Sequence, residues 1–395
     1  MKLTVATNFD NNFIDQISSY PVTEIYGKLS QDFIGGGRSS YSIQGINKSV
    51  LKSHIAYARQ NGIKFNYLLN TACLGNSEWS AKGIRKIRKL LDWLSQLKVD
   101  TVTVSIPYLA EIIKRRYPHL FLKIGIFANI DSPERARFWQ DIGADSLTLE
   151  SFSINRNFEL LKAIRKSVKC QLQLIANFTC LSKCPMQIYH MNGLSHASTN
   201  KDKAPYIDYC ILKCSSYSLK NPELLIKSQW IRPEDLHYYE DMGYFDFKLL
   251  ERNAPTSVLV KRVKAYSIRK SPKNLMELIQ PYGFDETTKK EFGWLIKYFS
   301  SLLFDRPFRM RYLLKLLKKR GMLYTLKDNP LFLDSNKIPS DFLDKIRGHS
   351  CSQHDNCLSC DYCKSIVKAA YSVNQIYREE CLDLYDKVFD QLISR

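Results

Sequence analysis

The chain has 395 residues, 45% hydrophobic and 25% charged, with a formal net charge of +19. That length supports a complete hydrophobic core and fits one large α/β domain with an appendage, and the composition excludes an intrinsically disordered chain. No run of about 18 apolar residues marks a membrane span, and the N-terminal MKLTVATNFDNNF lacks the apolar segment of a signal peptide, so a cytoplasmic protein is expected.

Eight short β-branched or apolar runs follow one another along the first 270 residues. They are LTVAT (3–7), VTEIY (22–26), FNYLL (65–69), DTVTV (100–104), FLKIGIF (121–127), SLTLE (146–150), CQLQLIAN (170–177) and FDFKLL (245–250). Between them lie segments with apolar residues three and four apart, such as 85–98, 132–143 and 157–166, which read as helices. Ser132, Pro133 and Glu134 form a helix start, with a capping side chain, a proline at the first helical position and an acid in the first turn. Parallel strands need helical crossovers and eight of them close on themselves, so the pattern predicts a (β/α)8 barrel over residues 1–270; a doubly wound open sheet is the alternative.

In such a barrel the chemistry sits on the loops after the strands, at their carboxyl ends. The candidates there are the loop IGGGRSS (34–40) with Arg38, the segment from Asn70 to Cys73, Glu150, and Lys248 with Arg252. The longest such loop follows the seventh strand and carries Cys180, Cys184, Cys210 and Cys214, spaced C-x3-C-x25-C-x3-C. His190 and His196 lie beside them with Asn192 and Ser195. Each histidine reads either as an ordinary hydrogen-bonding loop residue or as a proton donor or substrate contact. In WIRPEDL (230–236), Arg232, Glu234 and Asp235 read as helix-capping residues or, with Lys248 and Arg252, as a carboxylate or phosphate site at the barrel mouth.

Residues 271–395 read as a helical extension. Between 261 and 320 there are 16 Lys and Arg against 5 Asp and Glu. FRMRYLLKLLKKR (308–320) sets Phe308, Leu313, Leu316 and Leu317 among six cations, a basic amphipathic helix that is either docked on the protein or faces nucleic acid or an acidic protein partner. A linker (328–342) precedes Cys351, Cys357, Cys360 and Cys363, spaced C-x5-C-x2-C-x2-C, and one long helix from Ile366 closes the chain.

Eight of the eleven cysteines therefore fall in two tight groups, and Cys73, Cys170 and Cys381 stand alone as expected core residues. Clustered cysteines in a reducing compartment point to metal or redox chemistry rather than disulfides. Four thiolates suit an iron–sulfur cluster or a tetrahedral zinc ion, and spacing alone does not choose between them. Zinc is the alternative at the second group, where His354 can replace one cysteine. Gln187 stands where a third cysteine of a radical S-adenosylmethionine signature would be.

Several blocks resemble the peptidase U-32 family, the collagenase-like proteins. PVTEIYGKLSQDFIGGGR (21–38) is similar to its opening strand and glycine loop, ARFWQDIGADSLTLE (136–150) to its aromatic helix and strand ending in Glu150. FKLLERNAPTSVLVKRVKAY (247–266) is like its Phe-Lys-Ile-Glu-Gly-Arg block; Phe247, Lys248 and Arg252 match, while Leu250 and Glu251 replace Glu-Gly. The cysteine loop agrees in place but not in form. The resemblance implies a barrel-like domain holding a 4Fe-4S cluster, with Cys180, Cys184, Cys210 and Cys214 as ligands by location. It further implies oxygen-independent hydroxylation of RNA or a quinone precursor, some members using prephenate as oxygen donor, while others are described as peptidases.

The leading expectation is an iron–sulfur enzyme that modifies an anionic or aromatic substrate: RNA first, a peptide or an aromatic small molecule next. Arg38, Arg232, Glu234, Asp235, Lys248 and Arg252 are its expected substrate contacts, and His190, His196 and Glu150 its expected catalytic groups. The alternatives are a peptidase, against which stands the lack of G-x-S-x-G and H-E-x-x-H motifs, and a metal-stabilised binding module for nucleic acid or protein.

Overall fold

The computed structural model describes residues 1–40, 43, 45–199, 207–252, 254–281, 311–319, 330–348, 351 and 360–394. The eight expected strands are all present, each pairs in parallel with its neighbours, and β8 returns to β1 to close the barrel. They are β1 (Lys2–Ala6), β2 (Val22–Gly27), β3 (Lys64–Leu69), β4 (Thr101–Val104), β5 (Phe121–Ile124), β6 (Ser146–Thr148), β7 (Gln171–Ile175) and β8 (Asp246–Leu249). Closure excludes the open-sheet alternative. The longer run 121–127 stops as a strand at Ile124, because Gly125 leads into a short 3-10 turn (Ile126–Ala128).

Helices α1 (Asn11–Ile17), α2 (Lys48–Gln60), α3 (Ala81–Gln96), α4 (Pro107–Arg116) and α5 (Pro133–Asp141) fill the first crossovers. Ser132 caps α5 as expected, its side chain accepting from the Arg135 amide. Next come α6 (Ser151–Ile154) and α7 (Phe158–Ser167), then α8 (Gln187–Thr199) and α9 (Tyr209–Lys220) after β7.

Strand alternation explains how both faces are buried. Residues such as Val5, Ile25, Phe65, Val102, Leu122, Leu147, Leu172 and Phe247 face outward under the helices, and all are essentially inaccessible. Their neighbours point inward and are polar. Lys123 on β5 lies 2.7 Å from Glu24 of β2 and 3.7 Å from Asp246 of β8. Glu24 also accepts from Asn66 (2.9 Å) and Thr101 (2.8 Å), and Gln173 donates to Thr4 (3.0 Å) and Asp246 (2.9 Å). These polar atoms are paired with one another across the barrel, which offsets the cost of taking them out of water.

The C-terminal extension corrects two sequence readings. The linker 328–342 contains a strand, Leu331–Leu333, and the expected long final helix is interrupted. A helix ends at Ala370, residues Tyr371–Val373 pair antiparallel with Leu331–Leu333, and a new helix (Gln375–Ile393) starts under the Asn374 cap. The β-prone Tyr-Ser-Val and the capping asparagine override the helical periodicity. The basic helix appears as Arg311–Lys319, docked through Leu313 and Leu316, with Lys319 paired to Glu380 and Lys387 lying over Tyr312. Phe308 and the rest of 308–310, with Arg320, lie outside the described residues. Among the described residues no helix is long and apolar enough to cross a membrane.

Candidate active site at the mouth of the barrel

The mouth is built from the segments after β2, β3, β6, β7 and β8. Gly35, at φ +86°, carries the loop after β2 tightly over α8, and a Cβ added there would stand 2.4 Å from the Ser198 hydroxyl, so only glycine fits. The Gly36 amide donates to Ser198 (2.7 Å) and the Gly37 amide to Asn70 (3.3 Å), while the Ala72 amide donates to Ser195 (2.8 Å). These bonds fix the loops after β2 and β3 to α8 and set the position of Arg38. Its guanidinium is paired with Glu251, just beyond β8.

The four cysteines around β7 converge here. Cys180 and Cys184 flank the turn before α8, Cys210 and Cys214 lie one turn apart on α9, and Cys214 is within electrostatic reach of the other three. Burial pushes the Cys180 thiol up to about 12, with Cys184 adding repulsion and Arg38 opposing it. Cys180 nevertheless remains accessible to solvent, so it lies outside the core. Burial, with Asp208 and Cys184, raises Cys210 to about 11.

Above the inner ion layer sit three further cations. Lys28 is 3.0 Å from Asp32, which also accepts from the Tyr67 hydroxyl (2.9 Å). Lys248 lies 4.1 Å above the Tyr26 ring, and burial, then repulsion from Lys123, brings its amine down to about 7. Arg252 is 7% exposed, and its buried Nη1 has no hydrogen-bond partner. Burial and the nearby Arg38 lower it to about 10. A buried guanidinium with one nitrogen left unsatisfied is costly on its own, so this arrangement is suited to receiving an anion.

Glu150, at the end of β6, accepts from the Ser153 amide (2.9 Å) and from Gln187 of α8 (2.8 Å). Burial dominates these bonds and raises its carboxyl to about 7. Its carboxylate reaches Cys180 electrostatically. A glutamic acid with this raised value binds a proton that the unfolded chain has lost, so its contribution to stability falls as pH rises from about 4.5 to about 7. Glu150→Gln is therefore expected to flatten the fall in melting temperature between pH 5 and pH 8. An unchanged slope would place the ionisation elsewhere.

The two histidines lie on helix α8 rather than on a loop. His190 is 2.8 Å from Asp208, whose side chain also caps α9, whereas His196 is exposed near the C-terminal end of α8. Arg232, Glu234 and Asp235 do not join the mouth. Arg232 is 2% exposed, bonds Asp235 through two nitrogens (2.6 and 2.8 Å) and donates to the Pro339 carbonyl (3.1 Å), while Glu234 accepts from Ser271 (2.7 Å). The anion-site reading fails because the preceding Trp230 is drawn under the extension, stacked on Phe342 at 5.5 Å, and Arg232 follows it inward. In the second cysteine group Cys351 is exposed and Cys360 and Cys363 are half-buried, with Cys351 and Cys363 both in electrostatic reach of Tyr362. Cys357 and His354 lie outside the described residues. Of the lone cysteines Cys381 is fully buried, whereas Cys73 and Cys170 are only half-buried.

Sequence reading missed Lys28, Asp208, Glu251, Tyr26 and Gln187. Asp208 carried a signal, as an N-cap residue directly before YCILKC, and Glu251 carried one by adjoining Arg252. Tyr26 and Lys28 stood at the end of the second strand, but only closure of the barrel brings them to the same mouth as Lys248.

The model of peptidase family U32 matches residues 35–219. A protein of Methanocaldococcus jannaschii described as an uncharacterized protease is 36% identical over 250 residues, which is 63% of this chain and 73% of that one. The solved structure of the U32 peptidase Mk0906 is 22% identical, with a TM-score of 0.49, over 65% of this chain and 95% of that one. A chitinase structure from Rhizomucor miehei is 12% identical, with a TM-score of 0.36, over 67% of this chain and 100% of that one. Sequence identity at this level across most of a curated relative, together with the family match over the segment that carries the glycine loop and all four mouth cysteines, establishes that the chain belongs to peptidase family U32.

Proposed function

We propose that this protein is an iron–sulfur enzyme that hydroxylates RNA without using oxygen. The observation that carries the reading is the gathering of Cys180, Cys184, Cys210 and Cys214 at the mouth, beside buried cations. Four thiolates suit either a cluster or a zinc ion, and the place of this cysteine loop in the family favours the cluster.

Held by these four thiolates, a cluster would supply electron transfer. The remaining roles belong to the protein. Arg252 and Lys248 hold an anionic group of donor or substrate, with Arg38 kept in place by Glu251. Glu150, protonated for much of the time near neutrality, is a proton donor at the edge of the mouth, and Asp208 orients His190. In the net reaction a substrate C–H becomes C–OH, and a carboxylate-bearing donor gives up the oxygen atom and takes the two electrons. The charge of +19 supports a polyanionic substrate.

A peptidase would need an activated nucleophile. Among the described residues the only hydrogen bond from a sulfur of this group runs from Cys214 to the Ile211 carbonyl (3.4 Å), and His190 is engaged by Asp208 rather than by a thiol. The test is a nucleoside inventory by mass spectrometry of RNA from cells with and without the gene. Loss of a nucleoside carrying one added oxygen, restored by the gene, is expected; identical inventories would overturn the assignment.

A further inference from the structure

We propose that α3 and the short turn before it form the surface on which RNA docks beside the barrel mouth. The inference rests on the RNA reading above and says where that substrate is held. The turn Ser77–Trp79 belongs to the segment after β3, on the same face as the cysteines, and Trp79 is 84% exposed. Burying an indole usually stabilises a fold, so one left this open, with no ring or cation contact among the described residues, is available to a partner.

Directly after it, Lys82, Arg85, Lys86 and Lys89 are all exposed and recur at the three- and four-residue spacing that places them on one stripe of α3. The opposite stripe, with Ile87, Leu91 and Leu94, is buried on the barrel. None of the four cations makes an ion pair among the described residues. Their placement opposes helix stability, because α3 has no acid in its first turn and like charges accumulate at the positive end of its dipole. Charge that weakens the helix carrying it is explained by a polyanion that neutralises it.

The surface is rigid and continuous with the mouth. A Cβ at Gly83 would stand 1.8 Å from the Ser77 carbonyl oxygen, and Ser80 accepts from the Gly83 amide (2.9 Å), so the turn bearing Trp79 is pressed onto the start of the helix. Lys86 lies 5.1 Å over the ring of Phe33, on the segment that leads into the glycine loop and Arg38. An exposed aromatic next to a row of cations is the combination that takes unpaired nucleotides, the ring stacking on a base and the cations meeting phosphates. A hairpin with an unpaired loop satisfies both, and an acidic protein satisfies only the charge.

The test measures fluorescence anisotropy of a labelled RNA hairpin with an unpaired loop, and of a blunt duplex of the same stem, across a salt series. Trp79→Ala is expected to weaken hairpin binding about tenfold and to leave the duplex nearly unchanged. The triple variant Lys82→Glu, Arg85→Glu, Lys86→Glu is expected to weaken both and to reduce the salt slope by about 2 to 3. Its melting temperature should not fall, since the new acids suit the helix dipole, so loss of binding is not loss of fold. Lys166→Glu with Lys169→Glu, at the other end of the barrel, should bind as the wild type does. If the wild type binds RNA and the α3 variants bind equally well, this surface is wrong and the RNA reading stands. A wild type that binds no RNA removes that reading and this proposal with it. Polyglutamate competing as strongly as the hairpin would assign the face to an acidic protein and overturn the proposal.

Discussion

Replacing Cys180 and Cys184 together by alanine is expected to lower bound iron and acid-labile sulfide by one cluster's worth and to abolish activity on RNA, while the barrel still folds. Both residues lie on the segment after β7, outside the strands and outside the packed interior between strands and helices. Cys180 is accessible, so its truncation opens no core cavity. Circular dichroism should match that of the wild type. The measurement is iron and sulfide analysis of anaerobically purified protein, with the broad absorbance near 400 nm as a second readout. Zinc in place of iron would rule out the chemistry proposed here, and so would retained activity in the double variant. The second cysteine group provides the internal comparison, since its iron, if it holds any, should survive this change.

Lys123→Met carries the largest expected cost in stability, about 3–5 kcal/mol, because it leaves Glu24 and Asp246 inside the barrel without their cation. The sign of the pH dependence follows from Glu24. Burial raises its carboxyl, but attraction and hydrogen bonding from Lys123, with the Asn66 and Thr101 bonds, more than reverse this and hold it below the usual value. Its contribution to stability is therefore present above about pH 4.5 and lost as pH falls below that. Without Lys123 the carboxyl reverts upward, so the gap in melting temperature between variant and wild type should be widest at pH 7 to 8 and narrow towards pH 5. A gap independent of pH would mean that lost packing, not charge, causes the destabilisation. Adding Glu24→Gln to Lys123→Met should recover part of the loss, as expected for groups that act as a pair.

The barrel was legible because strand alternation with helical crossovers leaves a period in the sequence that local residues set by themselves. DTVTV shows this: its valines face the helices, Thr101 bonds Glu24 and Thr103 bonds Asn66. The cysteine group was legible from residue type and spacing. Other parts were not. Lys248 and Arg252 could be placed at the mouth because they end a strand, but Arg232, read beside them as an anion contact, is turned away by a contact with residues more than 100 positions later. Nothing near Arg232 in the chain records that partner. The final helix failed for a related reason, since Tyr371–Val373 is extended only because Leu331–Leu333 is there to pair with it.

The bonding of Arg232 has a practical corollary. Its guanidinium donates to the Pro339 carbonyl of the extension, and Arg156 lies 4.4 Å from the Trp230 ring and 4.9 Å from the Phe342 ring, so the two parts share one interior. Cutting the gene after codon 270 would strip Phe342 and the Pro339 carbonyl from these two arginines and open the Trp230 ring to water. Such a truncated product should precipitate, whereas the intact polypeptide should melt in a single calorimetric peak.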